Sequence, residues 1–336
     1  MRLLRVGPVG AERPAVLVDD ELLDVSGHVT DYDRMFFATG GLAGLRRLLD
    51  ESAATLPRVV DADRIGPPVA RPGKVICIGL NYADHAAESG APIPPEPIIF
   101  MKGSDTVVGP YDDVRIPRGS LKTDYEVELA VVIGAEARYL ESEAEATAAI
   151  AGFCISNDVS EREYQHERGG QWDKGKSCET FNPLGPWLVT ADEVGDPQCL
   201  GMFVDVNGQP RQRGRTSTMI FGVRELVHYL SQFMVLEPGD LINTGTPPGV
   251  GMAMDPPAYL REGDVVELSI EQLGTQRQHL VRAPDPSLRR RGSAFEALRV
   301  SVGAGLGRIR WPRRWRACTR PVDCPFLTGI SLNPRP

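Results

Sequence analysis

The sequence predicts an α+β protein rich in β-strands, of the mixed β-roll or sandwich type, with a small N-terminal domain. Short apolar runs such as 74–79 alternate with turns rich in glycine and proline, whereas helical periodicity is confined to a few segments, including 41–49 and 223–234. Asn207-Gly208 lies between two strand-like runs and is a strong signal for a hairpin turn. Many strands with few helices favour this architecture over a doubly wound parallel sheet.

Length and composition are those of a soluble globular protein. The 336 residues allow one large domain or two smaller ones, and no apolar run reaches the roughly 20 residues that a transmembrane helix needs. The N-terminus meets Gly7-Pro8 before any secretory apolar region, which predicts a cytoplasmic protein. The six cysteines are scattered without a C-x-x-C pair, so we expect buried free thiols rather than disulfides or zinc ligands.

Composition divides the chain into three predicted segments. Residues 1–70 are interpreted as a small α+β domain, residues 71–284 as the main, catalytic domain and residues 285–336 as an arginine-rich, poorly packed tail. Residues 286–336 carry eleven arginines and two acidic residues, a charge of +9, which leaves about −17 for residues 1–285 and gives the net charge of −8. The acidic body argues against nucleic-acid binding by the main domain. A DNA-binding tail remains an alternative.

Three acidic residues are the first candidates for a metal site. Glu126 and Glu128 lie two residues apart in an apolar run, so both side chains would project from one face of a strand, roughly 6.5–7 Å apart. Asp158 follows the apolar run 150–157, where an inner strand would enter a site. An all-oxygen set without histidine or thiolate favours Mg²⁺, Mn²⁺ or Ca²⁺ over zinc. The alternative is an edge strand with two solvated glutamates and an unrelated Asp158, and spacing alone leaves it open.

Hydrogen-bond donors follow Asp158 within a short span. Arg162, Gln165 and Lys176 all lie in this segment. Ser160 is a candidate N-cap of a helix on which Arg162 and Gln165 would share a face. Such donors next to acidic residues strengthen the interpretation of a metal site that binds an anionic ligand.

A possible general base precedes the acidic residues. His85 and Glu88 lie three apart on a predicted helix, where a carboxylate can orient an imidazole and raise its basicity. Taken alone, such a pair is more often a surface ion pair. In the glycine-rich segment 244–251, Thr246 offers a hydroxyl and an N–H to a carboxylate. Lys102 ends a strand-like run and could face either the site or solvent.

These segments resemble the fumarylacetoacetate hydrolase family over about residues 70–284. The resemblance rests on motifs that occur in the family's order, and it does not extend to the tail. The matching motifs are Gly79-Leu80-Asn81-Tyr82-Ala83-Asp84-His85, Asp124-Tyr125-Glu126-Val127-Glu128-Leu129, Asn157-Asp158-Val159-Ser160, Gly175-Lys176-Ser177, Leu236-Glu237-Pro238-Gly239-Asp240 and Thr244-Gly245-Thr246-Pro247.

The resemblance implies a homodimer with the family's mixed β-roll fold. It implies Mg²⁺ (or Mn²⁺ or Ca²⁺) as cofactor, with Glu126, Glu128 and Asp158 as ligands. His85 and Glu88 would activate water, and Lys176 would complete the catalytic set. The implied substrate contacts are Arg162, Gln165, Thr246, Lys102 and Tyr82.

One departure from the family pattern bears on the substrate. Fumarylacetoacetate hydrolases proper have a further Asp ligand seven residues before the catalytic histidine, where this sequence has Ile78. The resemblance therefore points to a smaller 2-oxo acid and to hydrolysis of a C–C bond in a 2,4-dioxo acid (acylpyruvate) through a metal-stabilised enolate. Decarboxylation of a 2-oxo diacid, isomerisation of a 2-hydroxydienoic diacid and a ureidoglycolate lyase reaction stay open. A metal-binding protein without activity is the non-enzymatic alternative.

Overall fold

Short strands form most of the fold. The computed structural model describes residues 1–60 and 62–284, and within them the strands are β1 (Arg2–Val6), β2 (Arg13–Val18), β3 (Glu21–Asp24), β4 (Ile65–Gly66), β5 (Val75–Gly79), β6 (Ile98–Lys102), β7 (Val107–Val108), β8 (Val114–Ile116), β9 (Thr123–Asp124), β10 (Val127–Ile133), β11 (Ile150–Asn157), β12 (Ser160–Glu161), β13 (Asn182–Thr190), β14 (Gly201–Val206), β15 (Gln209–Arg215), β16 (Leu241–Asn243), β17 (Val265–Ile270) and β18 (Gly274–Arg282). The α-helices are α1 (Arg34–Ala38), α2 (Gly41–Ser52), α3 (Ala83–Glu88), α4 (Glu143–Ala148), α5 (Asp173–Lys176), α6 (Ala191–Val194) and α7 (Val223–Leu230).

The largest sheet is mixed and has β10 near its centre. Its order is β3-β2-β1-β13-β11-β10-β16-β5-β6, with β4 joined to β1 and β7 to β13. β10 is antiparallel to both β11 and β16, whereas β16 and β5 are parallel. Since β10 has a neighbour on each side, Glu128 does not lie on an edge strand. The alternative of solvated glutamates on an edge strand is therefore wrong.

A second sheet packs with the first and completes the β-rich architecture. It has five strands in the order β15-β14-β17-β18-β8, and a separate pair is formed by β12 and β9. The predicted hairpin joins β14 to β15, with φ of 53° at Asn207 and 72° at Gly208, as a two-residue primed turn requires. The prediction of a strand-rich α+β fold is confirmed.

The two faces of β10 contribute to two different hydrophobic clusters. Val127 and Leu129 pack into the cluster that also contains β14 and β17, whereas Ala130 and Val132 pack with residues of β1, β2 and α1. The alternation of side chains along a strand places Glu128 on the same face as Ala130. The acidic site is thus at one end of the second cluster, where β10 and β11 meet.

Residues 1–70 contribute β1 to β4 and both α1 and α2. Leu3 of β1 pairs with Leu188 of β13, so this segment adds strands to the large sheet. The boundary at residue 70 stays a prediction, and the tail 285–336 lies outside the described residues. Within residues 1–60 and 62–284, none of the helices has the length and apolar character required to cross a bilayer.

One local expectation was wrong, and one segment with the composition of a loop is a strand. The segment 181–187 contains two prolines and a glycine, yet it is mostly strand, because β13 pairs with β11 and with β1 and buries Leu184 and Leu188. No helix begins at Ser160. Ser160 instead pairs with Asp124 in the β12–β9 ladder, and a π-helical turn follows over Glu163–Glu167. Long-range strand pairing overrides the local capping signal in this segment.

Candidate metal centre and active site

Glu126, Glu128 and Asp158, here called the carboxylate triad, converge at the ends of two adjacent strands. One carboxylate oxygen from each lies within 4.8 Å of the other two. Their exposures are 6%, 2% and 0%, respectively, so none is a solvated surface residue. Glu128 is on β10 with Glu126 directly before that strand, while Asp158 follows β11, and Asp158 N–H donates to Glu126 O over 2.9 Å. The pairing of β10 with β11 thereby aligns the three carboxylates.

Two buried lysines neutralise part of the triad. Lys176 Nζ donates to Glu126 Oε2 over 2.6 Å and to Asp158 Oδ2 over 2.9 Å, and it lies 5.1 Å from the centre of the Phe100 ring. Lys102 Nζ donates to Asp158 Oδ1 and to two backbone carbonyls, Phe181 O at 2.7 Å and Val159 O at 3.2 Å. An ammonium has three protons, so Lys102 has all its donors occupied by Asp158 and the two carbonyls, whereas Lys176 retains one donor.

The electrostatics of the triad differ from one carboxylate to the next. Burial raises the pKa of Glu126, but the charges of Lys176 and Arg162 outweigh burial and lower this pKa to about 2. Burial raises the pKa of Glu128 well above its usual value, and the charges of Asp158 and Glu126 raise it further. The raised pKa of Glu128 means that its ionised form is disfavoured, and a divalent cation among the three carboxylates would favour that form.

Arg162 occupies the side of the triad next to Glu126. Its guanidinium lies 2.8 Å from Glu126 Oε1, and its Nε donates to Asp124 Oδ2 over 2.9 Å. A third bond runs from Arg162 Nη1 to Gln165 Oε1, at 3.1 Å. Gln165 therefore accepts through its oxygen and keeps its amide N–H groups as donors. Burial opposes the charge of Arg162, yet Glu126 and Asp124 raise its pKa.

The predicted dyad is formed on α3. His85 Nδ1 lies 3.0 Å from Glu88 Oε2; the His85 side chain is buried, with 10% exposed, whereas 24% of the Glu88 side chain is exposed. Glu88 Oε1 accepts a hydrogen bond from the backbone N–H of Gly249 over 2.9 Å. His85 is near enough to the triad that its charge lowers the pKa of Glu126, with a smaller effect than the charges of Lys176 and Arg162. The arrangement leaves Nε2 as the ring nitrogen for proton transfer.

Thr246 and Tyr82 are placed differently with respect to the site. The Thr246 hydroxyl donates to Val127 O over 2.9 Å and accepts from Gln212 Nε2 over 2.7 Å. Only its backbone N–H, which has no partner among the described residues, remains for an anion. Tyr82 is fully buried and its hydroxyl donates to Met202 Sδ over 3.0 Å in the hydrophobic core. We therefore leave Tyr82 out of the proposed substrate site.

Sequence reasoning missed one buried acid at this site. Asp124 has no exposed surface and connects Arg162 to the segment after β16 through backbone N–H groups of Gly251 and Met252, at 2.8 and 2.9 Å. Its position two residues before Glu126 was a usable signal, because the strand period places alternate residues on one face. Its partners over 120 residues away were not readable from the sequence.

Comparison with known proteins decides the family. Residues 74–281 match the family described as "Fumarylacetoacetate (FAA) hydrolase C-terminal". The chain belongs to the fumarylacetoacetate hydrolase family. A family relative from Burkholderia multivorans, provisionally named a hydrolase, is 55% identical over 285 residues, covering 84% of this chain and 99% of the relative.

Two solved structures show the range of enzymes in the family. The 2-hydroxyhepta-2,4-diene-1,7-dioate isomerase from Mycobacterium marinum is 33% identical, with a TM-score of 0.64 over 85% of this chain and 100% of that one. Maleylpyruvate hydrolase from Sphingobium sp. SYK-6, in complex with manganese(II) ion and pyruvate, is 27% identical, with a TM-score of 0.71 over 84% of this chain and 100% of that one. The family thus contains both hydrolases and isomerases that act on small organic acids.

Proposed function

We propose that this family member is a divalent-metal-dependent hydrolase that cleaves a C–C bond in a 2,4-dioxo acid of the acylpyruvate type. The observation that supports it most is the buried carboxylate triad, together with a His85–Glu88 pair near enough for the charge of His85 to lower the pKa of Glu126. A water-activating base beside a cation site is what hydrolysis of a chelating oxo acid needs. A homodimer and a cytoplasmic location belong to the same proposal.

The residues of the triad fit a hard divalent cation. Glu126, Glu128 and Asp158 offer oxygen ligands alone, which suits Mg²⁺ or Mn²⁺. The pKa of Glu128 is raised by burial and then by the charges of Asp158 and Glu126, and such an ion would favour its ionised form. When bound, the ion would supply Lewis acidity towards a 2-oxo group and its neighbouring carboxylate. The manganese and pyruvate in the Sphingobium maleylpyruvate hydrolase support this assignment.

In the proposed reaction, the base acts on water. His85 Nε2 accepts a proton from water while Glu88, held by Gly249 N–H, keeps the ring oriented through Nδ1. The water oxygen bonds to C4 of the substrate, and the remaining donor of Lys176 and the amide of Gln165 stabilise the oxyanion. The C3–C4 bond then breaks, releasing a carboxylic acid and the enolate of pyruvate, which is protonated at C3.

The carboxylate of the substrate would be held by Arg162. Arg162 presents a guanidinium that is buried and fixed on two sides, so that little side-chain entropy is lost on binding. The backbone N–H of Thr246 is the second candidate donor. Lys102 contributes indirectly, because it donates to Asp158 and is itself fixed by two backbone carbonyls, which keeps Asp158 in place for the cation.

A second candidate function is isomerisation of a 2-hydroxydienoic diacid. The Mycobacterium marinum isomerase shares more sequence with this chain than the maleylpyruvate hydrolase does, 33% against 27%. Isomerisation and decarboxylation of a 2-oxo diacid such as oxaloacetate pass through a comparable enolate, so the same side chains could serve them. A ureidoglycolate lyase reaction and a metal-binding protein without turnover are the remaining alternatives.

One set of assays separates these functions. The purified protein is incubated with Mg²⁺ and, in turn, acetylpyruvate, oxaloacetate, 2-hydroxyhepta-2,4-diene-1,7-dioate and ureidoglycolate. The proposal predicts the highest kcat/KM for acetylpyruvate, with pyruvate and acetate as products. A higher kcat/KM for any other substrate would replace the hydrolase assignment, and no turnover of any of them would support a binding protein without activity.

A further inference from the structure

The segment after β16, residues 244–252, donates backbone hydrogen bonds to the triad, to the dyad and to Asp124. Gly245 N–H donates to Glu128 Oε2 of the triad over 2.8 Å. Gly249 N–H donates to Glu88 of the dyad over 2.9 Å. Two further N–H groups, those of Gly251 and Met252, donate to Asp124. This segment, here called the amide loop, therefore depends on Asp124 for part of its anchoring.

Asp124 is the junction between the amide loop and Arg162. Its Oδ1 accepts from Gly251 N–H over 2.8 Å, and its Oδ2 accepts from Met252 N–H and from Arg162 Nε, both over 2.9 Å. The side chain has no exposed surface. A buried carboxylate is stabilised only by donors of this kind, so its position and theirs fix one another.

The guanidinium of Arg162 is shared between two carboxylates. It contacts Asp124 at 2.9 Å and Glu126, a member of the triad, at 2.8 Å. Without the charge of Asp124, Glu126 would be the remaining acidic partner of Arg162 among these contacts. The guanidinium would then be drawn towards the triad, where it competes with a cation and turns away from a substrate carboxylate.

We propose that Asp124 is a positioning residue, which shares Arg162 with Glu126 and so keeps its guanidinium in place for the substrate carboxylate, and which ties that position to the amide loop that orients Glu88. Asp124 itself touches neither substrate nor cation. Its effect is exerted through Arg162 on one side and through Gly251 and Met252 on the other. Since this role rests on the proposed function, its test must separate the two.

The test is a double-mutant cycle on ligand binding. The full-length protein with Mn²⁺ is titrated calorimetrically with oxalate, a planar dicarboxylate probe, for wild type, Asp124→Asn, Arg162→Lys and the double variant. Asp124→Asn should raise the Kd for oxalate about tenfold, the scale of one charged hydrogen bond. The double variant should bind no more weakly than Arg162→Lys alone, because Asp124 acts through Arg162.

Asp240→Asn is the matched control. Asp240 is equally buried, accepts backbone N–H groups from Lys74 and Glu237 at 2.8 Å, and pairs with Lys74 Nζ at 2.7 Å, but it contacts none of the site residues named here. This variant should lose stability while its Kd for oxalate stays that of the wild type. If Asp124→Asn does not fold, the cycle uses Asp124→Glu, which keeps a charge for Arg162 but displaces it relative to the amide loop.

Each outcome decides between the two proposals. Non-additive effects of Asp124→Asn and Arg162→Lys support the positioning role. Additive effects, or an Asp124 variant that behaves like Asp240→Asn, overturn that role and leave the proposed function standing. If the wild-type protein with Mn²⁺ does not bind oxalate, both the proposed function and the positioning role are wrong.

Discussion

Removal of the Lys176 side chain changes metal binding and turnover in opposite directions. Its ammonium bonds to Glu126 and Asp158, at 2.6 and 2.9 Å. A cation bound by the same two carboxylates would compete with these bonds, each worth about 1.5–3 kcal/mol. Lys176→Ala removes this competition and also removes the proposed oxyanion donor. It should therefore bind Mn²⁺ more tightly and turn over more slowly than the wild type.

The magnitudes follow from the same contacts. Loss of a partner from a buried ion pair costs about 3–5 kcal/mol, so metal-free Lys176→Ala should be less stable than the wild type by about that amount. Its Kd for Mn²⁺ should fall at least about tenfold, the equivalent of 1.4 kcal/mol. Its kcat should fall about 10²–10³-fold, as expected when one oxyanion donor is lost.

Three measurements check this variant against a matched control. Calorimetry gives the Mn²⁺ Kd, thermal unfolding with and without Mn²⁺ gives the stability, and steady-state kinetics on acetylpyruvate gives kcat. Lys174→Ala removes the same side chain from an exposed position on the same helix, α5, and should leave all three values unchanged. A kcat within threefold of the wild type, or weaker Mn²⁺ binding, would refute the role assigned to Lys176.

Further predictions concern the dyad, the proton balance and the core. Glu88→Gln should lower kcat about ten- to a hundredfold with KM unchanged, because the ring loses its orienting carboxylate; an effect on KM alone in the same kinetics would contradict this. Because the pKa of Glu128 is raised, Mn²⁺ binding should release protons and strengthen with pH, as calorimetry in buffers of different ionisation enthalpy would show; a pH-independent Kd would oppose it. Because the pKa of Glu126 is about 2 in the folded protein and 4.5 when unfolded, its ionised side chain stabilises the fold fully above pH 4.5. Unfolding curves at several pH values should show this contribution to the free energy of unfolding disappear as the pH falls towards about 2, and a free energy that stays constant across this window would contradict it. Tyr82→Phe should leave KM unchanged and cost about 1 kcal/mol of stability for the lost bond to Met202; a raised KM would return Tyr82 to the substrate site.

The parts of the site that depend on local periodicity were predictable from the sequence. Glu126 and Glu128 are two residues apart at the start of β10, and Asp158 directly follows β11, which pairs with β10. His85 and Glu88 meet because they are three residues apart on α3. In these cases the spacing along one element, or the pairing of consecutive strands, carries the information.

The parts that depend on distant chain segments were not predictable in this way. Whether Lys102 faced the site or solvent was undecided, and its bond to Asp158 joins residues 56 apart. Asp124 had no assigned role because its loop partners are 127 and 128 residues away. The helix expected from Ser160 was wrong for the same reason, since a strand pairing with Asp124 replaced it. Tertiary contacts of this range leave no periodic signal in the sequence.

The most direct test of the account is exchange of the methyl protons of pyruvate with D₂O, followed by proton NMR in the presence of the protein and Mg²⁺. Formation of the enolate is common to hydrolysis, decarboxylation and isomerisation, so exchange tests the site independently of the final substrate. We predict that the wild-type protein accelerates exchange, that a chelator abolishes the acceleration, and that Glu126→Gln removes it. Acceleration that persists with the chelator or in Glu126→Gln, or its absence in the wild type with Mg²⁺, would contradict a metal-dependent 2-oxo acid site at the carboxylate triad.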